Sequence, residues 1–139
     1  MSQNEIFLPM VALAFWTFVI LTLVPMRRVQ AAKTGKVKTH DFKFGESAKV
    51  PGDVSLPNRN YMNLLELPLL FYVVCLMFFV TNWVDKWALY LAWGFVALRI
   101  AHSIVHLTYN KVGHRALIFG AGNLVVLGMW ALFCVRVYL

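Results

Sequence analysis

Six polar side chains fall inside or at the edge of long apolar stretches, and their spacing sorts them into two rows. Arg59, Asn63 and Glu66 stand at i, i+4 and i+7, and Arg99, His102 and His106 at i, i+3 and i+7. On a helix each row runs along one face. At the centre of a membrane span such a charge costs roughly 2.5–3.5 kcal/mol on insertion scales, so Glu66 and Arg99 are expected to face a partner or water. Three chemistries fit the rows. A buried ion pair between Glu66 and Arg99 would fix helix packing. A metal site would use His102 and His106, at ligand spacing, with Glu66 as third ligand; there Arg59, Arg99 and Arg115 would repel the cation. An anion receptor would use those same three arginines, whose planar forks hold carboxylates in bidentate fashion. The excess of cations favours this last reading over a metal.

The surrounding sequence says what must position these rows. Of 139 residues, 60% are hydrophobic and the mean hydropathy is +0.67, too apolar for a soluble domain of this length. The apolar residues gather in four blocks: Ile6 to Met26, about Tyr61 to Trp83, Trp87 to Leu107, and Ala116 to Leu139. About 20 helical residues cross a hydrocarbon core of roughly 30 Å, so each block supplies one span. The expected fold is an all-α integral membrane protein, a four-transmembrane-helix bundle forming one domain over residues 1–139. No basic residue precedes the first block, and it ends at Pro25-Met26-Arg27-Arg28 without a small-residue cleavage site, so it reads as a retained span. Cys75 and Cys134 lie in apolar spans away from any CxxC or Cys/His spacing and read as buried free thiols.

The net charge of +7 is unevenly placed. The loop over residues 27–60 carries Arg27, Arg28, Lys33, Lys36, Lys38, Lys43, Lys49 and Arg59 against Asp41, Glu46 and Asp53, and Lys111 and Arg115 follow the third span. The positive-inside rule places these segments on the cytoplasmic side and both termini on the other. The lysines lack interleaved aromatic platforms, which argues against nucleic acid and for anionic lipid head groups; a topology signal with no partner explains the same charges. Trp83 and Trp87 bracket Val84-Asp85-Lys86, a short hairpin that makes the second and third spans antiparallel neighbours. At about 1.5 Å per residue, Glu66 and His102 then lie nearly level, roughly 7 Å below the cytoplasmic surface, and Asn63 matches His106. Pro68 predicts a local bend, and Gly120, Gly122 and Gly128 offer room for close helix approach.

The run Arg59-Asn60-Tyr61-Met62-Asn63-Leu64-Leu65-Glu66 resembles the second-helix signature of the MAPEG family, the membrane-associated proteins of eicosanoid and glutathione metabolism. Arg99-Ile100-Ala101-His102-Ser103-Ile104-Val105-His106-Leu107 resembles its third-helix signature. The resemblance implies a homotrimer that binds glutathione, as co-substrate, between neighbouring subunits near the cytoplasmic surface. It implies that Arg59, Asn63, Glu66, Arg99 and His102 contact glutathione, with Lys38 of Thr34-Gly35-Lys36-Val37-Lys38 standing for a basic contact that is arginine in the family. Arg115 matches the arginine near the glutathione sulfur, and His106 stands where glutathione-active animal members have a tyrosine. Tyr61 and Met62 replace a histidine and an arginine of those members. The runs Glu66-Leu67-Pro68-Leu69-Leu70-Phe71-Tyr72 and His106-Leu107-Thr108-Tyr109-Asn110 look more like a bacterial branch, which implies a bacterial inner membrane. The activity so implied is a glutathione-dependent transferase or peroxidase acting on a lipophilic small molecule that arrives from the bilayer, with Arg115 and His106 as catalytic residues. The rival class is non-catalytic: a trimeric lipid-binding or scaffold protein, or an accessory subunit of a larger membrane complex.

Overall fold

The computed structural model describes residues 2–138. Its four α-helices are α1 (Phe7–Lys33), α2 (Gly52–Val80), α3 (Lys86–Leu107) and α4 (Val112–Tyr138), and no β-strand forms among the described residues. All four are long and apolar enough to cross a membrane, so the chain is a multi-pass integral membrane protein. The first two helices extend well beyond their apolar blocks at the 34–51 end, while α3 nearly coincides with its block and α4 starts four residues before its own. α1 continues through the basic residues to Lys33 and α2 begins at Gly52, well before Tyr61, because backbone hydrogen bonding continues past the hydrocarbon edge wherever polar side chains reach water. Asp53 in the first turn of α2 complements that end of the helix dipole. α2 runs unbroken through Pro57 and Pro68.

Chain direction puts the 34–51 segment and the α3–α4 turn at one end of the bundle. The 81–85 hairpin and both ends of the described chain lie at the other. That second end is tied together by residues from far along the sequence. The Gln3 side chain donates to the Val84 carbonyl at 3.3 Å and accepts from the Val84 amide at 2.9 Å. Arg136, near the end of α4, donates to the Trp83 carbonyl at 2.6 Å and forms an ion pair with Asp85. Asp85 also caps α3 by accepting from the Ala88 amide at 2.9 Å.

Burial opposes ionisation of Asp85, but hydrogen bonds from the Ala88 amide and the Arg136 guanidinium outweigh it and hold the carboxyl below the ordinary aspartate range. A depressed carboxylate pKa contributes stability above the unfolded value, ~3.9, and loses it as pH falls through the folded value. Asp85→Asn is therefore expected to lower the melting temperature at neutral pH and to converge with the wild type as pH falls through the folded value. Thermal unfolding of both proteins across pH checks this; a gap that persisted in acid would remove the ion pair as its source.

Between the ends, aromatic contacts set the packing. Phe71 of α2 stacks on Phe95 of α3 with centroids 4.7 Å apart, and Phe78 meets Phe133 of α4 edge-on at 5.5 Å. Ala88 and Ala92, both fully buried, let neighbouring helices approach α3 closely. Because lipid tails are as apolar as the core, shape complementarity rather than water exclusion holds these faces together. Cys75 lies in this core, as its sequence context suggests. Cys134 does not: it is exposed, since it follows the buried Phe133 and one residue of helix turns a side chain about 100° away from the core face.

Candidate functional site

Two contacts set the register of α2 against α3. Phe71 stacks on Phe95, and nearer the 34–51 end the buried Ser103 hydroxyl donates to the buried Asn60 side-chain carbonyl at 3.1 Å. At this register Asn63 reaches the level of His102, and both open onto one cleft of about 240 Å³ between α2, α3 and α4. Arg115, Val112, Ala116 and Phe119 of α4 complete the lining. Arg115 is aimed by the turn before α4, where Nη1 donates to Asn110 Oδ1 at 2.7 Å. Asn110 sits at φ 45°, a left-handed conformation that asparagine tolerates, so the tight α3–α4 turn and the placement of Arg115 share one residue.

Behind the cleft lies a second layer from the α3 row. The His102 ring is 5.7 Å from Phe119 and meets His106 edge-on at 5.7 Å. His106 is 3% exposed and does not line the cleft. One turn deeper, Arg99 is 1% exposed. Its guanidinium lies between the rings of Phe95, at 4.9 Å, and Phe119, at 4.8 Å, and Nη2 donates to Asn123 Oδ1 at 3.2 Å. Gly122 makes room for it, because a Cβ there would stand 3.2 Å from Nη2.

Arg99 is thus held by two ring faces and a neutral amide, and the expected pair with Glu66 does not form: Glu66 is exposed and no ion pair joins the two among the described residues. The reason is the rotation of α2. Its inward face is Leu64, Pro68, Phe71 and Cys75. Glu66 lies about 200° round the helix from Leu64, and Arg59 nearly shares its direction. Both are exposed, while Asn63, at the edge of the row, is half-buried. Lys38 is exposed in the 34–51 segment. The structure therefore brings together Asn63, His102 and Arg115, sets Arg99 and His106 behind them, and leaves Arg59, Glu66 and Lys38 on the outer surface.

Asn123, Phe119, Asn60 and Asn110 are additions that the two rows did not reveal. A lone amide in an apolar span, next to a glycine, was the available signal for Asn123. The cleft lining carries the cation of Arg115 and no carboxylate, which suits an anionic ligand. Among the described residues no three His, Cys, Asp or Glu side chains are grouped to hold a metal ion.

No curated protein and no solved structure matches the chain. The MAPEG family model matches it over residues 6–135, a stretch that takes in every residue of the cleft and the layer behind it. MAPEG proteins are in general membrane proteins associated with glutathione and eicosanoid metabolism. With a match over nearly the whole chain and four membrane-length helices that agree with it, this protein belongs to the MAPEG family.

Proposed function

We propose that the protein is a glutathione-dependent transferase or peroxidase acting on lipophilic electrophiles, and that it works as a homotrimer in which a neighbouring subunit completes the cleft. The observation that carries this reading is the cleft of Asn63, His102 and Arg115, which opens on the bundle surface and has no acid in its lining. At about 240 Å³ it is smaller than the roughly 300–1,000 Å³ of complete ligand sites. Arg59 and Glu66 lie on the outer face of the same helix, where exposure of charge to lipid is costly. A second subunit over that face would enlarge the cleft and give both charges a polar setting.

The donor set fits glutathione. Arg59 and Lys38 suit its two carboxylates, Glu66 its ammonium group and Asn63 a peptide amide. A free thiol with pKa near 8.5 is mostly protonated at neutral pH, and the Arg115 cation beside it would favour the thiolate. His102 offers a ring nitrogen at the cleft. His106, the residue first expected to take that part, would act through its edge contact with His102. The excess of Lys and Arg at the 34–51 end supports placing that end and the cleft on the cytoplasmic side, and the likeness of the second- and third-helix runs to the bacterial branch is what favours a bacterial inner membrane.

Thermal unfolding of the detergent-solubilised protein with glutathione tests the reading. At ~100 times its dissociation constant a bound ligand adds roughly 2.7 kcal/mol of stability, expected as a clear rise in melting temperature. No rise, together with no trimer in native mass spectrometry, would overturn it in favour of a non-catalytic lipid-binding protein.

A further inference from the structure

We infer that the 34–51 segment is a bilayer-surface anchor, folded back so that Phe44 enters the head-group layer of an anionic membrane. The segment does not extend away from the end of α1. Glu46 forms an ion pair at 2.9 Å with Arg28, whose guanidinium also lies 4.6 Å over the Phe42 ring. Beneath, Ala31, Val37, Val50 and Val54 pack as a small apolar cluster against Phe42. Arg28 stands two residues past the apolar stretch that ends at Met26, a rise of about 3 Å. Phe44 is two residues from both Phe42 and Glu46, a reach of roughly 7 Å. Directed back toward the bilayer, that reach brings Phe44 into the interfacial layer, which is about 5–8 Å deep on each side of the hydrocarbon.

At this level Phe44 is 89% exposed while Phe42 is half-buried. Gly45, at φ 93°, reverses the chain immediately after it, and the Ser47 amide donates to the Asp41 carbonyl at 2.9 Å to close the turn. Phe44 is therefore displayed by an organised turn. Lys43 lies 5.1 Å from the Phe44 ring. Lys38, Lys43 and Lys49 are exposed and make no ion pair among the described residues, whereas Glu46 is neutralised by Arg28 and Asp53 faces Lys36 at 3.8 Å. Asp41, whose carboxylate accepts from the Lys38 amide at 2.8 Å, offsets part of that charge and leaves the ammonium groups in excess. An apolar ring rimmed by a net excess of ammonium groups complements anionic lipid. A second copy of the chain is a poorer occupant, since 6 acidic residues against 13 basic ones leave it little negative surface to present.

The test labels Phe44→Cys with an environment-sensitive fluorophore in a Cys134→Ala background, where the remaining Cys75 is buried. The protein is reconstituted in nanodiscs of phosphatidylcholine, with or without phosphatidylglycerol. The expected result is a blue-shifted emission in the anionic discs, quenched by a head-group-attached quencher and reversed by high salt. Lys43→Glu combined with Lys49→Glu should abolish the anionic-lipid component while leaving the melting temperature unchanged. Water-like emission in both lipids would overturn the proposal. So would a blue shift equally strong with and without phosphatidylglycerol and insensitive to the head-group quencher, which would assign the covering surface to another copy of the chain.

Discussion

Glutathione conjugation by the Arg115→Leu variant is expected to fall roughly 25-fold at neutral pH and to recover as the pH rises. The magnitude follows from thiolate population. A thiol of pKa about 8.5 is roughly 3% ionised at pH 7, and a cation at the sulfur that lowers the value by about 2 units raises this to roughly three-quarters. Removing the cation moves the thiol pKa back up, so the loss is confined to pH values below about 8.5 and closes above it. The fold should survive, because within the subunit Arg115 donates one side-chain hydrogen bond, to Asn110 in an end turn rather than in the packed core. Thiolate absorbance and turnover with a generic aryl halide, followed from neutral to alkaline pH, check both parts. A pH-independent loss would mean that Arg115 positions substrate without activating sulfur, and an unchanged profile would remove it from the catalytic site. His106→Tyr should retain measurable turnover, since His106 lies behind His102 and not in the cleft lining.

Gly122→Val is expected to destabilise the bundle by about 1–3 kcal/mol, as overpacking of a filled interior does. A Cβ at this position already comes within 3.2 Å of Arg99 Nη2 and 3.5 Å of Cζ and Nε. Arg99 cannot retreat without leaving the Phe95 and Phe119 rings and its hydrogen bond to Asn123, and a displaced cation in this interior has no acid to receive it. The double variant Gly122→Val, Arg99→Leu should recover much of the loss, because the shorter apolar side chain vacates the space and takes the buried charge with it. Denaturation of the two single variants and the double in the same detergent measures the coupling, for which residues in contact typically give 0.5–3 kcal/mol. Strict additivity would show that the guanidinium does not occupy the notch at Gly122.

Much of this architecture was legible in the residues themselves. The four apolar blocks, the hairpin at Asp85 and the grouping of Arg59 with Glu66, or of Arg99 with His102, depend on segment length and helical period, which are local properties of the chain. The two signature runs likewise pointed to the family. Helical period says which side chains share a face but not which way that face turns. In water the polar face of a helix turns outward; in lipid the outside is as apolar as the core, and the Val, Leu and Phe that cover every side of these helices leave rotation undetermined. Packing decided it. Phe71 against Phe95 and Asn60 with Ser103 turn Glu66 outward, and that rotation gave Arg99 two aromatic rings and Asn123 where an ion pair with Glu66 was expected. Gln3 and Arg136 converge on the 83–85 segment for the same reason: antiparallel packing brings together chain ends whose pairing no local period encodes.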